Sequence, residues 1–237
     1  MVSIRLLPPK NQDLPRQTER GSVILWILIF VALFGALSFA FMSGSRQSGG
    51  NLNSEKNRMV SSEIINFGRS MRDAVKTLKI GGCSETQISF QNLVDLGYVN
   101  PSAPISKACH VFQASGAGMT WETISTESGG TMGFTGQEVV PNIGTAAPEL
   151  ILKWEGLTLE TCEAINKYLN VRGTNNNPPH TTAGTCDLAT AGCKFTGAFA
   201  AGSNITNAQN DFNGKQTACY NEAGGNNYIY YQVLIAR

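Results

Sequence analysis

The fold is decided by residues 23–42, VILWILIFVALFGALSFAFM, twenty residues without a charged side chain. As a helix with a rise of about 1.5 Å per residue, this run extends roughly 30 Å, the thickness of the hydrocarbon core of a bilayer. The sequence therefore predicts a transmembrane helix at 22–42, behind a basic leader at 1–21. The rest of the chain would lie on one side of the membrane.

Charge and cysteine placement orient the chain across the membrane. The leader carries four basic residues against two acidic ones, and three basic residues follow the apolar run, so the positive-inside rule favours a cytoplasmic N-terminus. All six cysteines come after the run, as expected if that side is oxidising. The alternative is a cytosolic domain with six reduced, buried cysteines.

Behind the apolar run the chain divides into three further segments. Residues 43–53, SGSRQSGGNLN, are rich in glycine and serine and predict a hinge that interrupts the helix. Residues 54–80 form an amphipathic stem helix that ends at Gly81 and Gly82, because their apolar residues recur at spacings of three and four. These apolar residues are Met59, Val60, Ile64, Phe67, Met71, Val75 and Leu78. Residues 81–237 form a disulfide-containing, β-rich head domain.

The head alternates short apolar runs with glycine-rich turns. Strands are predicted at 87–90, 110–113, 119–124, 150–154 and 228–236, with a turn at 128–133. A helix is predicted from 157 or 158 to about 171, with Thr158 as its N-cap. The fold class is α+β, with the N-terminal transmembrane helix and the long amphipathic helix packed on an antiparallel β-sheet and a disulfide-stapled C-terminal region.

Composition describes an ordinary globular head and argues against nucleic acid as a partner. The chain is 42% hydrophobic and 15% charged, with a net charge of +1. Residues 81–237 contain seven Lys and Arg and twelve Asp and Glu, which gives a net charge of −5. This is the wrong sign for a surface that binds nucleic-acid phosphates.

No catalytic or cofactor motif is found. The sequence lacks HExxH, GxSxG, P-loop and GxGxxG patterns, and His110 and His180 have no metal-ligand spacing. Asp211, Asn213 and Gly214 match the start of a calcium loop with Glu222 at the twelfth place, but a plain Asx turn fits them better. We therefore predict no enzymatic activity, no catalytic residues, no metal and no cofactor.

Together, a short basic leader ending in glycine, an apolar helix directly behind it, a second amphipathic helix and a disulfide-bearing sheet resemble a type IV pilin or pseudopilin, particularly a type IVb minor pilin. The phrase GLTLETCEAI around Cys162 also resembles a segment of type IVb pilins. The resemblance implies cleavage after Gly21 by a prepilin peptidase-like enzyme, which leaves Ser22 as the mature N-terminus. It also implies a structural subunit of a type IV pilus or related secretion filament. The implied partners are membrane lipid and other pilin-like subunits.

In location, the resemblance implies a single-pass inner-membrane protein with a cytoplasmic N-terminus and a periplasmic head, which becomes extracellular in a filament. The head would be exposed for assembly or adhesion. Two features depart from the family pattern. Trp26 occupies the fifth mature position, where major pilins carry a glutamate, and glycines 44, 49 and 50 fall where the pilin stem is usually one long helix.

The resemblance also implies that Cys162 pairs with a cysteine near the C-terminus, most simply Cys219. Neighbouring pairs would then be Cys83 with Cys109 and Cys186 with Cys193. Six cysteines allow 15 pairings, and one or two bridges with a leftover thiol remain open.

Three alternative interpretations remain open for the same sequence. Ser38-Phe39-Ala40 is a small-x-small site at which a signal peptidase would release the head. A plain anchor would instead carry a non-polymerising envelope binding or adhesin module. A tethered hydrolase is the third alternative, and it needs His110 or His180 in a cleft with a nucleophile and an acid.

Overall fold

The computed structural model describes residues 22–122, 130–173, 177–200 and 202–237, and within these it leaves the side chains of Ser22 and of residues 41–52 undescribed. The chain forms two compact units, Met1–Leu52 and Asn53–Arg237. The leader at 1–21 lies outside the described residues.

The first helix, α1, spans Ser22–Ile80, 59 residues. The predicted interruption of the helix at 43–53 is wrong, because the backbone of this segment is helical throughout. Its glycines each cost only about 1 kcal/mol relative to alanine in a helix interior, and the segment has no proline to remove a backbone hydrogen bond. A hinge at 43–53 stays a prediction.

The end of α1 is set by its two glycines, as predicted. Gly82 has a φ of +96°, a left-handed conformation that favours glycine. The Cys83 amide then donates to the Leu78 carbonyl at 3.1 Å, and the Gly81 amide donates to Thr77 at 2.9 Å. These bonds satisfy carbonyls that a helix end otherwise leaves unpaired.

The sheet has four antiparallel strands in the order β1-β2-β4-β3. They are β1 Thr131–Glu138, β2 Glu149–Leu157, β3 Thr217–Asn221 and β4 Tyr228–Ile235. The strands predicted at 150–154 and 228–236 are confirmed as the central pair. The sequence missed β1, part of which it assigned to a turn, and β3.

Three predicted strands are not found as such. Residues 87–90 and 110–113 contribute one isolated parallel bridge, Ser89 with His110. Residues 119–122 carry no strand, and residues 123 and 124 lie outside the described part of the chain. Hydrogen bonds between loops take the place of a strand pairing in this region. In one of them, the Val111 amide donates to the Ser89 carbonyl at 2.9 Å.

One face of the sheet packs on the amphipathic part of α1. The Phe67 and Trp154 rings meet edge to face, 6.0 Å apart, and a Cβ at Gly68 would overlap the Tyr230 hydroxyl. The predicted stripe is buried at Ile64, Phe67, Met71, Val75 and Leu78, whereas Met59 is exposed. The long helix therefore covers the sheet as the apolar spacing predicted.

The second helix, α2, spans Leu159–Leu169, and the Thr158 side chain caps it by accepting from the Thr161 amide, as predicted. The Asn166 side chain fixes α2 on β3, because it donates to the Cys219 carbonyl at 2.7 Å and accepts from the Cys219 amide at 2.9 Å.

The opposite face of the sheet is covered by loops. Ile151, Tyr231 and Val233 point into a second apolar cluster, which takes Phe212 and Ile205 from the 171–216 region. The sheet is therefore buried on both faces, and alternate residues of each strand belong to different cores.

Loop segments also cover the edges of the sheet. Along β1, the Phe195 amide donates to the Phe134 carbonyl at 2.8 Å, and the Ala200 amide donates to Gly136 at 3.3 Å. At the end of β3, Asn221 exchanges hydrogen bonds with Pro179 and Thr181 at 2.8 and 3.0 Å.

Candidate functional site

The candidate functional surface is the apolar part of α1. Its large apolar side chains, from Val23 to Phe39, are between 42% and 75% exposed. Within the described residues, Val23–Ala40 is a helix long and apolar enough to span a membrane. An exposed apolar surface of this size is typical of a membrane anchor, of a signal sequence and of a helix that packs against other helices.

Ser22 and Trp26 are the two residues of this helix that matter for the processing and assembly predicted from the sequence. Ser22, predicted as the first mature residue, is the first residue of α1, whereas Gly21 lies outside the described residues. Trp26 is 60% exposed. Its side chain has no charge with which to attract an amine of a neighbouring chain.

Three disulfides hold the head together. They join Cys83 to Cys109, Cys162 to Cys219 and Cys186 to Cys193, with Cα–Cα distances of 5.8, 5.4 and 5.6 Å. These are the neighbouring pairs favoured from sequence order and from the pilin resemblance. No cysteine in the described residues, which include all six, is free.

A buried ionic cluster lies beneath the 185–193 loop, and sequence reasoning missed it. Lys153 on β2 has no exposed side-chain surface, and its Nζ lies 3.0 Å from carboxylate oxygens of both Glu138 and Glu155. The same Nζ donates to Thr185 Oγ1 at 3.1 Å and to the Cys186 carbonyl at 2.5 Å. The ammonium therefore ties β1, β2 and the disulfide loop to one point.

Electrostatics keep this lysine charged. Burial disfavours the ammonium, but the facing carboxylates of Glu138 and Glu155 outweigh it and hold the pKa of Lys153 above its ordinary value. Burial raises the pKa of Glu138 despite the neighbouring ammonium. The cluster is best described as structural, because the side chains of Lys153 and Glu138 have no exposed surface.

Glu149, at the start of β2, is a second buried carboxyl group, and it forms no salt bridge with a described residue. Its Oε2 accepts from the Val140 amide at 3.0 Å, whereas its Oε1 has no partner within the described structure. Burial raises the pKa of Glu149 to about 7, opposed by the Val140 amide and by Arg237.

We expect Glu149 to make the head less stable as the pH rises. Below about pH 4.5 the carboxyl is protonated in both states, and between about 4.5 and 7 only the folded state keeps the proton, so the free energy of unfolding falls. Glu149→Gln keeps an oxygen for the Val140 amide but cannot ionise. The variant should therefore match the parent at pH 4.5 and exceed it at pH 8 by roughly 1 to 3 kcal/mol.

Denaturant unfolding of both full-length chains in detergent at the two pH values measures this difference. An equal loss of stability with pH in both chains would show that Glu149 titrates normally.

Within the described residues, no hydrogen bond or ion pair joins His110 or His180 to a nucleophile or an acid. His110 is buried, and burial lowers its pKa. His180 is exposed and forms a bridge with Asn221. Within the described residues, no group of three or more His, Cys, Asp or Glu side chains could hold a metal ion. Glu222, the suggested twelfth calcium-loop position, instead accepts hydrogen bonds from Thr185.

A polar cleft of about 590 Å³ lies at the C-terminal end of α2. Charged and amide side chains line it, including Glu163, Lys167, Asn170 and Arg172. Its described lining residues include no aromatic side chain and no buried unpaired group, so they select no ligand class.

Comparison with protein-family models, with curated proteins and with solved structures finds no match.

Proposed function

We propose that the chain is a membrane-anchored, pilin-like structural subunit of a type IV pilus or related secretion filament, and a minor subunit rather than the major one. One observation carries the proposal: an exposed apolar helix and an amphipathic helix packed on an antiparallel sheet are parts of the same helix, α1. The apolar part would hold the subunit in the inner membrane and then in a filament core. Its burial against sister helices would drive assembly.

Trp26 supports the minor role within this proposal. A glutamate at the fifth mature position would neutralise the free amine of a neighbouring subunit, and Trp26 cannot do so. A subunit at the tip of a filament has no subunit above it, so it needs no such contact. The periplasmic head, with its loops facing outward, would then be available for assembly or adhesion.

N-terminal processing tests the proposal. We expect mass spectrometry of the chain purified from its native membranes to show a protein that begins at Ser22. The variant Gly21→Leu should remain at full length because the peptidase requires a glycine before the cut. The matched control Gly35→Ala, inside the apolar helix with open space around its Cα, should be processed normally.

Other termini would overturn the proposal in different ways. A native chain that begins at Met1 would indicate a plain anchor, and one that begins at Phe41 would indicate a cleaved signal peptide. Recovery of the processed chain in a sheared filament fraction would support assembly. A processed chain that stays wholly in the membrane would instead favour a non-polymerising envelope binding module, the alternative that Trp26 also fits.

A further inference from the structure

The buried contact between Lys153 and Glu138 brings an amine directly against a carboxyl group. Lys153 lies on β2 and Glu138 ends the neighbouring strand β1, and neither side chain has any exposed surface. The Lys153 Nζ is 3.0 Å from Glu138 Oε1, which places the nitrogen beside the carboxyl carbon, Cδ. An amine and a carboxyl group held in this way are the two components of an amide bond.

The two oxygens of the Glu138 carboxyl group have different environments. Oε1 accepts from the Cys186 amide at 2.8 Å in addition to its contact with Lys153. Oε2 is buried and has no hydrogen-bond partner among the described residues. A buried acceptor that lacks a donor is costly. Oε1 is therefore held as the oxygen of an amide carbonyl would be, whereas Oε2 is the oxygen whose loss breaks no hydrogen bond with a described residue.

Glu155 provides a second carboxylate that can take a proton from the lysine. Its Oε1 lies 3.0 Å from the Lys153 Nζ, and burial raises the pKa of Glu155. The Thr185 hydroxyl and the Cys186 carbonyl also accept from Nζ, at 3.1 and 2.5 Å. An ammonium carries three protons, so after one passes to Glu155 the other two can stay bound to these two acceptors. The nitrogen is then a neutral amine, which is the nucleophilic form of lysine.

We propose that Lys153 and Glu138 condense to an intramolecular isopeptide bond that joins β2 to β1. The ion pair is the state before the reaction. Nζ forms a bond to Glu138 Cδ, and the bond between Cδ and Oε2 breaks. Of the three ammonium protons, one stays on the amide nitrogen and two leave with Oε2 as water. The Glu155 carboxylate relays these protons and ends ionised, as it began, so the step needs no oxidant and no further reactant.

The enclosed site favours this condensation. Holding two reacting groups together is equivalent to a concentration of about 10⁵ to 10⁸ M for well-oriented pairs. The Cys186 amide donates to Oε1, the atom on which negative charge develops during the attack, and such a donor stabilises the transition state. The reaction also replaces a buried cation and a buried anion with neutral groups, which removes the cost of keeping both charges away from water.

Mass spectrometry of the full-length chain tests the proposal. The chain is purified in detergent, reduced and denatured, and its intact mass is compared with the mass of the reduced sequence from the N-terminus found in the same sample. We expect the parent chain to be lighter by one molecule of water. A protease that cuts after glutamate cleaves at Glu149, which lies between the two residues. The bond should then appear as a branched peptide that joins Glu138 to Lys153.

Three variants assign the roles of the residues. Lys153→Met removes the amine and should have the full mass of its sequence. Glu155→Gln keeps a side chain that can accept from Nζ but cannot relay a proton, so the fraction of crosslinked chain at purification should fall about tenfold or more. The matched control Glu149→Gln removes a different buried carboxyl group and should keep the loss of water. Circular dichroism should show that E155Q and E149Q retain the parent fold.

Two results for the parent chain would overturn the proposal, and neither needs a variant to fold. They are an intact mass equal to that of the full sequence, and a loss of water that the branched peptide places at other residues. An unchanged crosslinked fraction in E155Q would overturn the proton relay through Glu155. Because the bond lies within the head and is located by its own peptide, its failure is distinguishable from failure of processing at Gly21.

Discussion

Replacing Lys153 with methionine is expected to lower the free energy of unfolding of the head by about 3 to 5 kcal/mol. The substitution leaves the Glu138 carboxylate, which has no exposed surface, without its cation. It also removes the donor that Thr185 and the Cys186 carbonyl share. Denaturant unfolding of the full-length chain in detergent at pH 7 measures the loss.

The chain offers a matched control for this prediction. Arg58 pairs with Glu55 at 3.2 Å, but both side chains are more than 60% exposed, and such pairs contribute at most about 1 kcal/mol. Arg58→Met should therefore be nearly neutral. In the double variant K153M/E138Q the fully buried Glu138 charge is gone while the Cys186 amide keeps its acceptor, and only the Glu155 carboxylate, which is 12% exposed, stays without its cation, so part of the loss should be recovered. If K153M is as mild as R58M, Lys153 is not a buried ion in solution.

The second large effect is expected from the disulfide between Cys162 and Cys219. It closes a separation of 57 residues and joins α2 to β3, and both cysteines are fully buried. Loop closure in the unfolded chain predicts a loss of about 4 kcal/mol for C162A/C219A.

The Cys186–Cys193 disulfide serves as the comparison, because its separation is only 7 residues. The same relation predicts about 2 to 2.5 kcal/mol for C186A/C193A. Thermal or denaturant unfolding of both double variants in detergent gives the order. The opposite order would mean that the short disulfide acts mainly through the ionic cluster it covers, and not through the unfolded chain.

The parts of the fold that were predictable depend on local signals. The apolar run, the three-and-four spacing before Gly81 and the Thr158 cap each lie within a few turns of one helix, and all three are present in the structure. Likewise, β2 and β4 are central strands, and their long apolar runs can be recognised in the sequence without knowing which strands pair with them.

The parts that were missed depend on contacts distant in sequence. Gly133 was assigned to the predicted turn at 128–133, yet it lies inside β1, as does Gly136. A Cβ at Gly133 would come within 2.8 Å of Leu188, and one at Gly136 within 2.8 Å of Phe195. Glycine is needed there because loops more than fifty residues away press on the strand, and no local pattern reveals this.

The residues of the candidate site also divide into those that a local pattern reveals and those that depend on distant contacts. The exposed apolar surface could be located from composition alone. In contrast, Lys153 lies inside the apolar run of β2, and its partners Glu138 and Thr185 are 15 and 32 residues away. A lone lysine in a strand gives no indication of which carboxylates will meet it.

Covering the outer strands has a consequence for the proposed filament, in which subunits would be crowded together. Unpaired strand borders are templates on which identical chains can add into cross-β aggregates. Here Phe195 and Ala200 already occupy carbonyls along β1, and Pro179 and Thr181 occupy the end of β3. Molecules held side by side can therefore stay at high density without fusing their sheets into amyloid-like ribbons.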